Sequence, residues 1–406
     1  MHILVLDTIH GGKAIGEAFA AQGDRVDCVD VYRGESKPDV TTAQSRNYDL
    51  IVAPVHLDPD HPLLHFSRAP VISHHEAVRQ LLGGKTPETM IEITGARGKT
   101  TTAHALASLM GGTGILHTST GTYRYPEKKW LSQSSITPGS VLAAARMACG
   151  IQGWLIVEES LGITCSGTLG IISSDEDYFF AAGKKSALSI KVASAHHCKL
   201  LLLAKNIPGD YLERVVHIED IAACEGTECS LTLAGKTCRF SNPLLALPGY
   251  HSCLMLAAAA AMLLGIDPDP LSSFSALPGR LSVSYDQGVL VVDNANSGTN
   301  LATTVEAARY ARSISGKEAI TLVIGQAEGD GAVCEGFAFD QIRAAIDQIH
   351  PVHVVGVGAF PIPGTPESDG LVSRVSAYTA TLAEAYTSAL HMTDQGSIVL
   401  AVKTWR

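Results

Sequence analysis

Short apolar runs separated by amphipathic stretches recur along the chain. The first run, "HILVLD", precedes a glycine turn and the helical pattern "KAIGEAFAAQG", and the further runs "RVDCVDVY" and "YDLIVAPV" follow. A strand–helix–strand order of this kind forms a parallel sheet with a crossover helix. The pattern therefore predicts a small parallel sheet at the N-terminus.

The same alternation restarts twice. From Met90 onward the apolar runs are "GWLIVEE" and "TLGIISS", and from Arg280 they are "GVLVVDNA", "AITLVIGQ" and "HVVGVG". Short alternating runs at 215–240 predict a hairpin side sheet, and the Pro- and Ser-rich stretch 266–279 predicts a hinge. We expect an α/β chain of three domains, at 1–86, 87–277 and 278–406.

Composition excludes several classes of protein. The 406 residues are 46% hydrophobic and 17% charged, which permits large buried cores. A net charge of -10 with scattered Lys and Arg disfavours nucleic acid as a partner. The longest apolar run, 253–266, is too short for a membrane span, and we expect no membrane partner. Nine cysteines without a C-x-x-C pair predict neither a zinc nor a disulfide framework, and with no export signal they favour the cytoplasm.

One motif carries a specific chemical prediction. In "TGARGKTT" a glycine-rich turn joins an apolar strand to an alanine-rich helix, although Ile93 stands where the strict eight-residue phosphate loop has its first glycine. Backbone amides of such a turn cradle phosphate oxygens, the lysine contacts the β- and γ-phosphates, and the hydroxyl after it binds Mg²⁺. This predicts ATP and Mg²⁺ as cofactors. The predicted ATP-binding residues are Thr94, Gly95, Ala96, Arg97, Gly98, Lys99, Thr100 and Thr101.

Acidic residues follow two apolar runs after this loop. Glu158 and Glu159 end one run, and Asp175, Glu176 and Asp177 end the next. Carboxyl ends of parallel strands face the ligand crevice, where such acids would repel one another unless cations lie between them. They are candidate magnesium ligands, and the alternative is a solvated strand end.

Several of these segments resemble the Mur ligases, a family of ATP-dependent ligases. The likeness rests on "TGARGKT", "SSITPGS", "VEESL", "LPGRLSV" and "VVDNANSGTN", and covers roughly residues 90–406. It implies parallel doubly wound sheets in three domains. These are a Rossmann-like N-terminal substrate domain, a central P-loop domain and a Rossmann-like C-terminal cap.

The resemblance also assigns roles to single residues. It implies that Lys99, Glu158 and Lys191 are catalytic, with Lys191 carrying a carbamate and Lys184 and Lys185 as competitors for that role. The implied metal ligands are Thr100, Glu158, Glu176 and Lys191, although Glu176 stands where the family has histidine. Arg280 and Asp293 are the implied nucleotide contacts of the cap. "LPGYHSCLM" resembles the family's adenine-bordering helix, but Ser252 and Met255 replace its asparagines.

The N-terminal segments indicate the substrate. "LDTIHGG", "VDVYR" and "SHHEAV" resemble Mur-like ligases of methanogenic archaea that act on a nickel tetrapyrrole carboxylate. That likeness implies phosphorylation of a propionate and attack of a ring carbon on the acyl phosphate. The candidate substrate contacts are His10, Gly11, Gly12, His74, His75 and Thr137. The alternative for the histidines is an ordinary hydrogen-bonded role at a domain surface.

Two other functions remain open from the sequence. One is a ligase that joins an amino acid to a carboxylate, which would need an amine pocket. The other is a P-loop kinase or regulatory ATPase without ligation, which would need neither a modified Lys191 nor nucleotide roles for Arg280 and Asp293. The sequence gives no indication of the oligomeric state.

Overall fold

The computed structural model describes residues 1–34, 36, 38–327, 337–358 and 374–404. The chain divides into two compact units, Met1–Phe274 and Ser275–Arg406. Both units consist of parallel-rich sheets with flanking helices, and the predicted α/β class is confirmed.

The first unit begins with a parallel sheet of strand order β2-β1-β3-β4. Its strands are β1 (His2–Leu6), β2 (Arg25–Val29), β3 (Leu50–Ala53) and β4 (Val71–Ser73). Its helices are α1 (Gly12–Ala21), α2 (Val40–Gln44) and α3 (His74–Leu82), with a 3₁₀ turn at Pro62–Leu64. The chain runs from β2 across β1 to β3, so the carboxyl ends of β1 and β3 flank the point where the strand order reverses. Open α/β sheets bind ligands at such points.

A larger sheet follows in the same unit, with strand order β14-β13-β10-β5-β9-β6-β7-β8. Its strands are β5 (Met90–Thr94), β6 (Gly114–Thr118), β7 (Gly121–Tyr125), β8 (Lys129–Ser132), β9 (Trp154–Glu158), β10 (Leu169–Ile172), β13 (Leu200–Leu203) and β14 (Arg214–His217). A short hairpin, β11 (Phe179–Phe180) and β12 (Lys185–Ser186), lies outside it. The helices are α4 (Lys99–Leu109), α5 (Pro138–Gly150), α6 (Ala187–Ser194), α7 (Ile218–Ile221) and α8 (Pro248–Leu263), with 3₁₀ turns at Pro243–Ala246 and Asp269–Ser273.

The sequence explains why these elements pack closely. Every residue of β5 and of β9 is buried, as expected for central strands covered by helices on both faces. Helix α8 packs on α4, and its run Ala257–Ala261 is fully buried. Alanine side chains allow helix axes to approach and cost little side-chain entropy on burial.

A side sheet is formed by β15 (Ala222–Glu225), β16 (Glu228–Leu233) and β17 (Lys236–Ser241), all antiparallel. It corresponds to the alternating runs of the sequence. Cys224 and Cys229 face each other on β15 and β16 and form a disulfide, which the spacing of the cysteines did not predict. Among the described residues, no helix has the length and apolar character needed to cross a membrane.

The second unit contains a sheet of order β18-β19-β23-β20-β21-β22, in which only the β18–β19 pair is antiparallel. Its strands are β18 (Ser282–Asp286), β19 (Val289–Asp293), β20 (Ile320–Gln326), β21 (His353–Gly358), β22 (Ala377–Thr379) and β23 (Ser397–Lys403). The helices of its described part are α9 (Leu301–Ser315), α10 (Phe339–Ile349) and α11 (Leu382–Met392).

Within the first unit, the loop after β1 contacts the first turn of α5 through glycine backbones. A Cβ atom at Gly139 of α5 would lie 2.5 Å from the Gly11 carbonyl oxygen, and one at Gly11 would lie 2.7 Å from Thr137 Oγ1. A Cβ atom at Gly12 would lie 1.8 Å from the Asp7 carbonyl oxygen, so only glycine fits at the start of α1. The glycines let the N-terminal loop lie directly on the first turn of α5.

We expect Gly12→Ala to lower the free energy of unfolding by about 2–3 kcal/mol, because the added methyl group must displace backbone. Gly150→Ala is the matched control, since a Cβ atom there meets nothing within 4 Å. It should be neutral or stabilise by about 0.5–1 kcal/mol. The measurement is the urea midpoint of the first unfolding transition. Equal midpoints for Gly12→Ala and wild type would contradict the close approach.

Candidate active site

The phosphate loop spans the end of β5 and the start of α4. Gly95 has φ 150° and Gly98 has φ 80°, conformations that glycine adopts without strain. A Cβ atom at Gly95 would lie 2.2 Å from Ser173 Oγ, so the loop lies tightly against the end of β10. Thr94 is fully buried, and its hydroxyl accepts a hydrogen bond from the Gly162 amide at 3.2 Å. The loop therefore has the backbone form of an anion cradle at a helix N-terminus.

The first residues of α4 meet the carboxyl end of β9. Thr100 Oγ1 donates to Glu158 Oε2 at 2.8 Å, and Lys99 Nζ lies 3.8 Å from Glu158 Oε1. Ser119, after β6, donates its amide to Glu158 Oε2 at 3.0 Å, and its hydroxyl lies 3.2 Å from Thr100 Oγ1. Glu158 is 2% exposed. A carboxylate and two hydroxyls form a set of hard oxygen donors that fits Mg²⁺.

Hydroxyls at the end of β10 contact the loop. Ser174 Oγ accepts from the amides of Ala96 and Arg97 at 3.0 and 3.2 Å, and Ser173 Oγ donates to the Arg97 carbonyl. Lys99 Nζ donates to the Gly95 carbonyl at 3.0 Å. Ser119, Ser173 and Ser174 were not singled out from the sequence. The signal was present, because "LHTST" and "IISSD" place hydroxyls directly after buried strands.

The three lysines considered for modification have different environments. Lys184 forms ion pairs with Asp58 and Asp60 at 2.7 and 2.6 Å. Lys185 donates to the carbonyls of Val55 and Leu57 at 2.7 and 3.0 Å.

Lys191, on α6, is 1% exposed, and its Nζ has no hydrogen-bond partner among the described residues. Its Nζ lies 4.9 Å from the centre of the Tyr178 ring. Burial and then the nearby Lys99 ammonium lower the pKa of Lys191 to about 8, against the opposing charge of Asp177. Lys191 is thus the buried amine beside Lys99.

The acids after β10 point in separate directions. Glu176 Oε2 is paired with Arg97 Nε at 2.9 Å, and Asp175 Oδ2 with Lys205 Nζ at 3.0 Å, both on the surface. Asp177 accepts from the Leu188 amide and the Ser186 hydroxyl at the start of α6. The structure does not bring Glu176 to Lys191, and its role as a metal ligand stays a prediction.

Glu158 and Glu159 face opposite sides of the strand end. Glu159 is fully buried, and neither carboxyl oxygen has a hydrogen-bond partner among the described residues. Burial raises the pKa of Glu159 well above its usual value, and the neighbouring Glu92 carboxylate raises it further. Glu92 accepts from the amides of Thr164 and Gly167 at 2.9 and 2.7 Å. Burial therefore favours the protonated form of Glu159, and Glu158 is the carboxylate that faces the phosphate loop.

A second cluster lies at the carboxyl edge of the first sheet. Asp7 is fully buried with φ 82°, and its Oδ1 accepts from the amides of Ile9 and His10 at 2.7 and 3.0 Å. Its Oδ2 lies 3.1 Å from His10 Nδ1 and 3.8 Å from His56 Nε2. The hydrogen bond to Asp7 raises the pKa of His10, whereas burial and then the His10 ring lower the pKa of His56 to about 4. Asp7 and His56 were not predicted as site residues, although each follows a buried strand.

The paired histidines of α3 are buried. His74 is 2% exposed with Nε2 3.0 Å from the Leu6 carbonyl oxygen, and His75 is 3% exposed with Nε2 3.1 Å from the Ser160 carbonyl oxygen. Burial lowers the pKa of His74 to about 4 and that of His75 to about 3. Both rings are neutral and bonded to backbone in this conformation, and a substrate role for them stays a prediction.

The remaining predicted residues occupy helix and strand ends. Thr137 precedes α5, with its hydroxyl 3.0 Å from Ser135 Oγ and next to Gly11. Thr101 is buried in the first turn of α4. In the second unit, Arg280 precedes β18, and Asp293 ends β19 and accepts from the Ala295 amide at 3.0 Å. Their nucleotide roles stay predictions.

Cys253 of α8 has its Sγ 3.6 Å from the Gly98 carbonyl oxygen, so this helix borders the phosphate loop. Ser252 is partly exposed there, and Met255 is buried.

Solved structures of Mur-type ligases share the fold. E. coli FolC in complex with ADP superimposes with a TM-score of 0.62 at 14% identity, covering 82% of this chain and 90% of that chain. The UDP-N-acetylmuramoylalanyl-D-glutamyl-2,6-diaminopimelate–D-alanyl-D-alanyl ligase of Acinetobacter baumannii gives a TM-score of 0.57 at 14% identity, covering 93% of this chain and 86% of that chain. The protein has the Mur ligase architecture, and the predicted fold is confirmed.

Sequence comparison indicates one branch of that class. A protein of Methanosarcina acetivorans named "Coenzyme F(430) synthetase" is 29% identical over all of this chain and 98% of its own length. The family model described as "Coenzyme F430 synthetase CfbE, C-terminal domain" matches residues 283–404. The resemblance to the Mur ligases, and among them to coenzyme F(430) synthetase, is confirmed.

The buried acid Glu159 gives a pH-dependent prediction. The pKa of Glu159 is higher in the folded protein than in the unfolded chain. At a pH between these two pKa values, the folded protein keeps a proton that the unfolded chain releases. The free energy of unfolding therefore falls as the pH rises through this range. Raising the pH from about 5 to about 8 should destabilise wild type relative to Glu159→Gln by up to about 1.4 kcal/mol per pH unit. Urea midpoints at both pH values measure this difference.

The matched control is Glu213→Gln, at an exposed carboxylate, which should follow wild type at both pH values. A constant difference between wild type and Glu159→Gln across this pH range would mean that Glu159 is ionised in the folded protein.

Proposed function

We propose that this protein is an ATP-dependent ligase that converts 15,17(3)-seco-F(430)-17(3)-acid, a nickel tetrapyrrole, into coenzyme F(430), ADP and phosphate. The observation that carries the proposal is the full-length similarity to a protein named coenzyme F(430) synthetase. The Mur ligase fold and the phosphate-loop network of Lys99, Thr100 and Glu158 support the use of ATP.

In the first step, a propionate oxygen attacks the γ-phosphorus of ATP. The new P–O bond forms as the bond to the bridging β–γ oxygen breaks, and ADP leaves with that electron pair. Phosphoryl transfer depends on positioning and on neutralising charge more than on covalent help. Lys99 and the amides of the 95–99 loop supply positive charge at the phosphates. Release of Lys99 from the Gly95 carbonyl and of Ser174 from the loop amides would free these donors.

Thr100 and Glu158 are the residues that would hold Mg²⁺, with Ser119 beside them. When bound, the ion neutralises phosphate charge during transfer. Burial of Glu158 keeps water away from its carboxylate, and the Ser119 amide fixes the orientation of that carboxylate.

Lys191 has the environment that carbamylation requires. With its pKa lowered to about 8, an appreciable fraction of the amine is neutral at that pH, and the neutral nitrogen can attack CO₂ with loss of a proton. The resulting carbamate would replace a buried cation near Lys99 by an anion. We propose that this carbamate is a ligand of a second Mg²⁺.

In the second step, a ring carbon of the tetrapyrrole loses a proton and attacks the acyl-phosphate carbonyl carbon. A C–C bond forms, the C–O bond to phosphate breaks, and a six-membered carbocycle closes. Nucleophile and electrophile belong to one molecule, so no amine pocket is needed. We further propose the domain roles expected at 1–86, 87–277 and 278–406, nucleotide contacts by Arg280 and Asp293, and a cytoplasmic location.

The direct test is incubation of the protein with ATP, Mg²⁺ and the nickel seco-acid, without any amine. We expect the cyclised product, ADP and phosphate in equal amounts, measured by optical spectra, mass spectrometry and phosphate release. Formation of ADP only after an amino acid is added would favour the peptide-type ligase. ATP hydrolysis that does not respond to the tetrapyrrole would favour a regulatory ATPase.

Lys99→Ala should reduce phosphate release by at least about 10³-fold, because the γ-phosphate loses its nearest ammonium during transfer. Binding of the tetrapyrrole, followed optically, should stay within about twofold of wild type. Lys199→Ala, at an exposed lysine, is the matched control and should retain full activity. Loss of tetrapyrrole binding in Lys99→Ala would contradict the separation of the two sites.

Lys191→Ala should likewise lose activity by at least about 10²-fold, and added acetate or propionate should restore part of it by placing a carboxylate in the vacated space. Intact-mass and ¹³C NMR measurements with labelled bicarbonate should detect the carbamate in wild type. Lys184→Ala should keep the carbamate signal. Retention of that signal in Lys191→Ala would assign it to another lysine.

A further inference from the structure

The carboxyl edge of the first sheet carries a group of three rings around a buried carboxylate. His10 follows β1, Tyr32 follows β2 and His56 follows β3. The ring centres lie 4.7 Å apart for His10 and His56, 5.3 Å for His10 and Tyr32, and 5.6 Å for Tyr32 and His56. We call these three residues the ring platform.

The turns after the strands hold this platform in place. The Asp7 carboxylate binds the amides of Ile9 and His10, and the Asp30 carboxylate accepts from the Tyr32 amide at 2.8 Å. Tyr32 stacks on His56 with 16° between the ring planes. Tyr32 is 43% exposed and the His10 side chain 44% exposed, so the platform presents ring surface outward.

His10 has the hydrogen bonding typical of a metal-bound histidine. Its Nδ1 lies 3.1 Å from Asp7 Oδ2, and an ionised carboxylate only accepts, so Nδ1 carries the hydrogen. Nε2 has no hydrogen-bond partner among the residues that the structure describes, and its lone pair is available when the ring is neutral. Metal-bound histidines usually donate their other ring nitrogen to a carboxylate in this way.

His56 adds an independent observation. Its Nε2 is buried and has no hydrogen-bond partner in the described part of the chain, and it lies 3.8 Å from Asp7 Oδ2. Asp7, His10 and His56 have ligand atoms within 4.8 Å of one another, a spacing that could hold a metal ion. A buried polar atom without a partner is unfavourable, so His56 Nε2 is a polar position left open beside His10.

Contacts on two sides join the loops of the platform to the central part of the first unit. On one side, Gly11 lies against Thr137, and the neighbouring Ile136 carbonyl accepts from the Ser160 amide at 2.9 Å, two residues after Glu158. On the other side, Lys185 binds the carbonyls of Val55 and Leu57, which flank His56. The loops of the platform are therefore joined to segments that lead to Glu158 on one side and to α6 on the other.

We propose that His10 is the axial ligand, through Nε2, of the nickel in the tetrapyrrole substrate, with Tyr32 and His56 packing against the macrocycle. This inference rests on the proposed function and adds a substrate-binding site to it. Asp7 is a positioning residue that fixes the His10 ring. Coordination would fix the position of the nickel above His10, and packing against Tyr32 would restrict rotation of the macrocycle about the nickel–nitrogen bond.

The test combines a change in the protein with a change in the ligand. The nickel seco-acid, and the same tetrapyrrole without nickel, are titrated into wild type, His10→Asn and His65→Gln at about pH 8.5, because alkaline pH favours the neutral ring of His10, whose pKa is raised by Asp7. Asparagine keeps a donor for Asp7 but lacks Nε2. His65 is exposed and bonded to the Pro59 carbonyl, which makes it the matched control.

With wild type and His65→Gln we expect a shift of the nickel chromophore's absorption band on binding, because nickel gains a ligand. His10→Asn should lack the shift and bind the nickel form at least about tenfold more weakly. All three proteins should bind the nickel-free form equally. Tyr32→Leu should weaken binding of both forms to the same extent, since stacking does not depend on the metal.

Distinct results would overturn the inference. A wild type that cyclises the substrate without a band shift, or a His10→Asn protein that matches wild type with the nickel form, would remove His10 as the ligand while leaving the proposed function intact. Stoichiometric metal in the purified protein, lost in His10→Asn, would assign the cluster to a resident ion instead. A wild type that neither binds nor converts any tetrapyrrole would overturn both proposals.

Discussion

The burial of Glu158 beside the phosphate loop is the constraint on which the candidate site depends. A buried carboxylate is stable only when paired or hydrogen-bonded, and here Thr100, Ser119 and Lys99 provide the partners. These partners come from the start of α4 and from the residue after β6, while Glu158 itself ends β9. Satisfying one carboxylate thus fixes the relative positions of the loop, α4 and the end of β6, and assembles the donors that a magnesium nucleotide needs.

Two other ionisable groups are buried near this site, and they differ in what burial implies. Protonation reduces the cost of burying Glu159, and burial and then the neighbouring Glu92 raise its pKa. The lowered pKa of Lys191 reduces the cost of its burial only in part, and its amine remains buried near Lys99. A protonated Glu159 can remain buried without a counter-charge, which suits a structural role. The Lys191 amine lies near another cation, so a reaction that removes its positive charge is favoured.

The N-terminal sheet contributes a different kind of site. Its glycine loop allows backbone contact with α5, and Lys184 and Lys185 bind the loop after β3. Lys184 and Lys185, the alternatives to Lys191 for the modified residue, thus connect the β11–β12 hairpin to the loop after β3. The ring platform and the phosphate loop lie at carboxyl edges of neighbouring sheets, which is where α/β proteins bind ligands.

The sequence predicted the α/β order, the side sheet and the glycine turn of the phosphate loop, because periodicity and a loop with fixed glycine positions are local properties, whereas the preference for Glu158 over Glu159 came from the resemblance to the Mur ligases. The tertiary structure decided which lysine is buried, that His74 and His75 are bonded to backbone, and that Asp7, His10, Tyr32 and His56 form one cluster. The physical reason is that burial and charge pairing arise from contacts between residues far apart in the chain. Lys184, Lys185 and Lys191 have the same side chain. Only their surroundings distinguish the two lysines that bind the loop after β3 from the buried amine of Lys191.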